Sequence, residues 1–301
     1  MATAIGAQIL WGIFPAFIKL FQGVVEPMDL VAHRAIWSFM VLSIGLAVST
    51  RWIASNKSNS LWHRITNNRA TIPVALLATV FIGTNWLVFV WAVSNDHAID
   101  ASLGYYICPQ FVVLLGVFFL RERLGRLQWI AIALATLGVT IMAWSAQSNI
   151  WIGLSVAIAF ALYALIKKLT KLSAAEGLTL ETGFMVLPAI LFLCWRSTLD
   201  GVAVVPESAT TGLLLILSGP LTVAPLFLYA IAVKHISLST VGLLQFIGPT
   251  IQFFLGVFAF NEPFDSIRLI GFVFVWIGLG LYLSALTRRP VKSAKKPLAQ
   301  K

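Results

Sequence analysis

The sequence predicts an all-α membrane protein of ten transmembrane helices, built as two inverted five-helix repeats with the N and C termini cytoplasmic. Three observations predict it. The composition is 59% hydrophobic and 11% charged, with a mean hydropathy of +0.91, whereas in soluble domains about a quarter of residues are charged. Residues 101–141 and 241–281 align without gaps at an offset of 140, with ten of the 41 positions identical. Matched pairs include Ile107 with Ile247, Pro109 with Pro249, Gly116 with Gly256, Glu122 with Glu262 and Gly138 with Gly278. The connector RERLGR (121–126) is net basic, and its counterpart NEPFDSIR (261–268) is net acidic. Basic connectors stay in the cytoplasm, so the two copies should cross the membrane in opposite directions.

Apolar runs of 17 or more residues cross roughly 30 Å of hydrocarbon. They fall approximately at 3–20, 30–49, 71–92, 101–120, 127–145, 150–167, 179–196, 211–231, 239–259 and 267–286. These runs are too long and too continuously apolar for barrel strands. The repeat divides the chain into a first unit at 1–146, a second at 147–287 and a basic tail at 288–301. Five spans per unit is an odd number, so fusing two related units inverts the second.

Placing the amino terminus in the cytoplasm puts 17 of the 21 Lys and Arg inside, all but Lys19, Arg34, Arg196 and Arg268. Eight of the eleven acids fall outside: Glu26, Asp29, Asp96, Asp100, Asp200, Glu207, Glu262 and Asp265. The net charge of +10 is then mainly a topology signal and excludes a nucleic-acid footprint. The tail RRPVKSAKK (288–296) can lie on anionic headgroups. No cleavable signal sequence is expected, because the first span begins almost at Met1. Cys108 and Cys194 lie in separate apolar runs, so neither a disulfide nor a metal site is expected. The longest connectors, at 51–70 and 197–210, leave no room for an extramembrane domain.

Charge inside hydrocarbon costs about 2.5–3.5 kcal/mol on insertion scales, so each polar residue in a span needs a reason. In the first span Trp11, Pro15 and Lys19 share a stripe, and Pro15 should kink the helix. Lys19 either lines a path or snorkels to the outer interface. The second span opens with AHRAIW (32–37), with His33 and Trp37 on one face and Arg34 about 100° round. Arg34 either pairs with Glu26 or Asp29, or offers a fork to an anionic or zwitterionic solute. His33 is a candidate proton carrier. In the third span Asn85, beside Trp86, must hydrogen-bond another helix or a ligand.

In the fourth span Ser102, Tyr105, Pro109, Val112 and Gly116 share one stripe, which the ninth repeats as Gly242, Gln245, Pro249, Gln252 and Gly256. Small residues and prolines on one face predict close helix approach and a locally broken backbone. Packing is expected at Gly116, Gly256, Gly138 and Gly278, and cavity lining at Tyr105 and Gln245. Tyr163 in the sixth span, Glu181 in the seventh and Tyr229 in the eighth complete a candidate inner vestibule. Glu181 is either a substrate or proton site, or a boundary charge paired with Lys167 or Lys168. Among the 11 Trp, Trp52, Trp62, Trp144, Trp151 and Trp195 fall at interfaces, which leaves Trp11, Trp37 and Trp86 as lining candidates.

Ten spans in two fused units, with WGIFPAFIK (11–19), HRAIWS (33–38), GTNWLVFVWAV (83–93), ASLGY (101–105), LET (180–182) and QFIGPT (245–250), resemble the EamA branch of the drug/metabolite transporter superfamily, and within it the RarD-type permeases. The resemblance spans nearly the whole chain. It implies a rocking-bundle carrier with a central site between the halves that exports or exchanges small metabolites or amphiphilic drugs, and a multi-pass location in a bacterial-type inner (plasma) membrane. The expected partners are the lipid bilayer and a small-molecule substrate, with no nucleic acid, no cofactor and no metal; a homodimer stays open. An enzyme would need paired aspartates, a His-Glu metal motif or a GxSxG nucleophile, and none is present. ATP drive would need GxxxxGK[ST], also absent. A receptor or assembly protein would need larger loops, and a channel-like facilitator is the remaining alternative.

Overall fold

The computed structural model describes residues 1–53, 71–95, 97–145, 150–200, 208–260 and 266–287. Expectations placed on residues 54–70, Asp96, Glu207, Glu262, Asp265 and the tail 288–301 lie outside the described residues. So do those placed on the side chains of Arg51, Trp52, Asp100, Ser102 and Asp200. The described residues form helices joined by short turns, without a strand. With no water in the hydrocarbon to satisfy backbone N–H and C=O groups, each crossing must close its hydrogen bonds within itself.

Among the described residues eleven α-helices supply ten traverses: α1 (Ala2–Ile18), α2 (Pro27–Ile53), α3 (Thr71–Ser94), α4 (Ala98–Phe118), α5 (Arg126–Ser145), α6 (Ile150–Leu169), α7 (Ala174–Asp200), α8 (Ala209–His235), α9 (Leu238–Leu244), α10 (Ile247–Phe254) and α11 (Ser266–Thr287). The predicted ninth span is α9 and α10 in succession, closed by a π-helical turn at Leu255–Ala259. Its break falls at Gln245 and Phe246. Pro249 has no N–H to offer the carbonyl four residues back, which belongs to Gln245, and its ring crowds that carbonyl. The equivalent Pro109 sits inside an unbroken α4. The expected interruption therefore occurs in one member of the pair, the one whose proline is preceded by Gly248 instead of Cys108.

Helix ends extend the expected spans for local reasons. Ser173 and Glu176 form a reciprocal capping box, the Glu176 amide donating to Ser173 Oγ (3.2 Å) and the Ser173 amide to Glu176 Oε2 (2.8 Å). It starts α7 at Ala174, about a turn before the apolar run. Pro15 remains inside α1, which gives way after Ile18 to a 3-10 turn at Lys19–Phe21. Gly23, at φ 76°, then reverses the chain into α2.

Ten traverses return the chain to the end of the bundle where it began, here called the terminal end. The most extensively packed pairs join one half to the other: α5 with α11, α4 with α6, α2 with α7 and α8, α3 with α6 and α7, α1 with α8 and α10, and α4 with α9. Exchanging each traverse with the one five later maps this pattern onto itself. At the α5–α11 crossing the symmetry reaches single residues. A Cβ on Gly138 would collide with the Gly271 carbonyl, and one on Gly278 would sit 2.6 Å from the Ala131 carbonyl. Both residues of each pair differ from their counterparts by 140, the offset of the sequence repeat. Small residues permit such backbone contact where lipid supplies no hydrophobic drive between helices.

Apolar side chains cover the outside: Leu213, Leu217 and Leu221 form an exposed stripe on α8, and Leu187 and Leu191 another on α7. Trp144, Trp151 and Trp195 are exposed near helix ends, as the sequence places them. Gly138→Val is expected to lower stability by about 1–3 kcal/mol through overpacking. Gly280→Ala, which opens onto free space, should stay within about 0.5 kcal/mol. Thermal unfolding of the full chain in detergent checks both.

Candidate functional site

Three groups of polar and aromatic side chains lie where the two halves meet. The first is central. The Trp11 ring lies 5.7 Å from Phe160 and 5.4 Å from Tyr229, and Phe160 lies 5.8 Å from Tyr163. Tyr229, fully buried, accepts a hydrogen bond from Gln245 Nε2 (3.1 Å), and Cys108 Sγ donates to Gln245 Oε1 (3.9 Å). Gln252 Nε2 donates to the Trp11 carbonyl (3.1 Å). The helix break at Gln245 thus carries an amide into the middle of an aromatic cluster drawn from α1, α6 and α8. Pro109 and Pro249 are both buried, and the Pro109 carbonyl lies 2.8 Å from where a Gly242 Cβ would stand.

The second group lies toward the terminal end. Lys167 Nζ donates to Glu181 Oε1 at 2.8 Å, and Tyr163 OH donates to Glu181 Oε2 at 3.0 Å. Lys167 is 1% and Glu181 4% exposed. Of the two sequence readings of Glu181, the pairing with Lys167 is the one formed, because α7 begins early enough to carry Glu181 almost two turns inside, level with the last turn of α6. Beside this pair, Glu122 spans the two halves. Its carboxylate accepts from the Leu238 amide (2.6 Å), the Ser239 amide (2.9 Å) and Ser239 Oγ (2.5 Å). A carboxylate there satisfies the orphan N–H groups of α9 and complements its dipole. Arg121, at φ 54°, turns the chain so that Glu122 reaches α9, and the Glu122 amide donates back to the Gly116 carbonyl (3.1 Å). Gly116 is small where it faces Glu122: a Cβ would lie 2.8 Å from Oε2. Lys168 Nζ donates to the Ile236 carbonyl (2.6 Å) and closes α8.

The third group lies toward the opposite end. Arg34 Nε donates to Thr222 Oγ1 (2.9 Å), and its guanidinium carbon sits 4.9 Å from the ring centres of Phe14 and Trp86. Tyr105, its ring 5.5 Å from Phe89, lies within electrostatic reach of this guanidinium. The acids offered as partners to Arg34 are engaged elsewhere: Arg196 Nη2 lies 2.9 Å from Glu26 Oε2 and 3.4 Å from Asp29 Oδ2.

Other predicted residues settle into structural roles. Asn85, 1% exposed, donates to the Val156 carbonyl (2.9 Å) and ties α3 to α6. The Trp37 backbone crosses α8 at Gly219, where a Cβ would stand 2.6 Å away. Lys19 is exposed, its Nζ 3.9 Å over the Phe260 ring, because the 3-10 turn carries it to the surface. His33 is half-buried, and Gly256 is buried at the start of the π-helical turn. Sequence reasoning missed Phe14, Phe160 and Thr222, which carry no signal beyond being apolar or small in a span. It also assigned no role to Glu122, although the invariant match of Glu122 with Glu262 across the offset was a signal.

Lys167→Met should destabilise by about 3–5 kcal/mol, since it strands Glu181; adding Glu181→Gln should recover part of that loss in a double-mutant cycle. Glu122→Gln, which keeps the shape and removes the charge, is expected to cost roughly 1–2 kcal/mol, read by thermal unfolding.

The EamA-like transporter family model matches residues 1–144. The chain is 41% identical over 276 residues to the uncharacterized transporter YojE of Bacillus subtilis, covering 91% of this chain and 90% of that protein. It is 36% identical over 280 residues to the protein RarD of Salmonella typhimurium, covering 93% and 92% respectively, and 34% identical to RarD of Escherichia coli over the same length. A crystal structure at 18% identity superposes with a TM-score of 0.67 over 96% of this chain and 98% of the other, which fixes the fold. Taken with the apolar helices, these matches make the chain a multi-pass membrane protein that belongs to the EamA-like transporter family, among its RarD-type permeases.

Proposed function

We propose that this transporter is a secondary-active carrier that moves small solutes by alternating access, exporting or exchanging metabolites or amphiphilic drugs. The observation that carries the reading is the exchange symmetry of the bundle, in which neighbours map onto neighbours five traverses on and Gly138–Gly271 maps onto Gly278–Ala131. A bundle of two equivalent halves has two equivalent ways of tilting one against the other, and each opens the central region toward a different end. Repeat units at 1–146 and 147–287 in opposite orientation, with cytoplasmic termini and an inner-membrane location, complete the picture.

Polar bonds join the halves at both ends of the bundle, through Glu122 and α9 at one and through Arg34–Thr222 and Arg196–Glu26 at the other. Toward the terminal end Glu122 of the first half accepts from the Leu238 and Ser239 amides of the second, and the Lys167–Glu181–Tyr163 cluster ties α6 to α7 within the second half. Toward the opposite end Arg34, Trp37, Trp86 and Tyr105 are only half-buried. The Glu122 cap is a contact between the halves that the other state must break. His33, next to Arg34, and Glu181 are the candidates for moving a proton against the solute.

The test is uptake and counterflow in proteoliposomes of the full chain, using radiolabelled amino acids and amphiphilic amines, with and without a pH gradient. Saturable uptake accelerated by unlabelled solute inside the vesicles is the expected result. Flux that rises linearly with concentration and ignores preloading would replace the carrier by a pore. Acceleration by the gradient would assign proton exchange, and indifference to it would assign facilitated exchange.

A further inference from the structure

We infer that Arg34 is the receptor for a carboxylate, so that the cargo is a singly charged organic acid or the acid end of a larger solute; as a statement about cargo this rests on the carrier reading, and as a binding site it does not. Four traverses from both halves meet at this side chain: α2 carries it, α1 supplies Phe14, α3 supplies Trp86 and α8 supplies Thr222. Among the described residues it has no carboxylate partner. Glu26 and Asp29, the acids nearest in sequence, are held by Arg196.

The chemistry of the ligand follows from which edge of the guanidinium is in use. Nε is taken by Thr222 Oγ1 at 2.9 Å, which restrains the plane of the group and leaves the two Nη atoms for a ligand. Those atoms make no hydrogen bond within the described residues and are not among the sealed polar atoms there. The guanidinium sits over the rings of Phe14 and Trp86, each 4.9 Å from its carbon. Rings hold a cation by their faces but cannot accept its in-plane N–H bonds. A carboxylate can: its two oxygens match two parallel N–H donors.

Charge counting narrows the class. No Lys, Arg, Asp or Glu other than Arg34 occurs at residues 1–18, 30–50, 71–94 or 209–233. The segments that build this site therefore bring one permanent positive charge and no negative one. A monoanion neutralises it. A dianionic phosphate would carry one uncompensated negative charge into the bundle, which is costly. The adjacent rings suit an apolar or aromatic body next to the acid.

Isothermal titration of the purified full chain in detergent tests this with benzoate against benzamide, butyrate against butyramide, N-acetylphenylalanine against its amide, and phenyl phosphate. At least one acid is expected to bind at least about tenfold more tightly than its amide, because a site built to pair with a group rejects the analogue that lacks it. Arg34→Gln should abolish that preference, and Arg34→Lys should weaken it, since an ammonium does not form the fork. Thr222→Val, which keeps the charge and releases Nε, should reduce the preference by a smaller factor and serves if Arg34→Gln does not fold. Equal affinity for acids and amides, retention of the preference in folded Arg34→Gln, tighter binding of phenyl phosphate, or no binding of any acid would overturn the inference. Acid binding without counterflow would remove the carrier reading and leave the site. Counterflow confined to amines and amides would do the reverse.

Discussion

Helices surrounded by hydrocarbon gain nothing from hiding apolar side chains against each other, so the bundle depends on places where two backbones can touch. The crossing of α5 and α11 is the clearest of these. Gly138 meets the Gly271 carbonyl and Gly278 meets the Ala131 carbonyl, two contacts related by the same offset that relates the two halves in sequence. Comparable approaches recur at Gly104 against Gly153, at Gly219 against Trp37 and at Gly242 against Pro109. Each joins one half to the other. The halves are therefore held along helix faces with few side chains between them, and the space for polar chemistry is confined to the places where larger residues keep the helices apart.

Charge is distributed against that background by strict pairing. Glu181 has Lys167, Glu26 and Asp29 share Arg196, and Glu122 has the amides of α9. The buried Lys167–Glu181 pair costs desolvation and is retained only with both partners in place. Arg34 departs from the pattern by resting on two aromatic rings and one hydroxyl. Lys19 also meets a ring, but at the surface; the half-buried Arg34 on its two rings is where affinity for an anion is concentrated. At the terminal end the Glu122 carboxylate, bonded to the amides of α9, supplies a charge-assisted contact between the halves that does not require a large apolar surface.

Much of the fold was legible in the sequence. The positions of the ten traverses, the relation between residues 101–141 and 241–281, and the interfacial tryptophans all follow from the length of apolar runs and from self-similarity. Helix ends were less legible: the capping box at Ser173 and Glu176 was in the sequence but lay outside the apolar run, so α7 begins earlier than hydropathy alone implies. Pro109 and Pro249 look alike in sequence, yet only the second breaks its helix, because whether a lost hydrogen bond is tolerated depends on the neighbours that pack around it. The site was legible as a set of residue types and illegible as a set of contacts. Arg34 stood out because it is charged in a span. Phe14, Phe160 and Thr222 did not, since nothing in their identity separates them from lipid-facing neighbours.

By itself the sequence determined that this chain is a membrane protein of ten crossings in two related halves, because hydropathy and periodicity are properties of local stretches and survive without knowledge of packing. It also determined the family, through motifs spread over both halves. Only the tertiary structure decided which charges neutralise one another. The sequence offered Arg34 the acids Glu26 and Asp29, and offered Glu181 either a solute or a lysine. The choice went to Arg196 in the first case and to Lys167 in the second, because a salt bridge forms between side chains brought within 4 Å by helix packing, and residues 167 and 196 are placed by contacts that no single stretch of sequence contains.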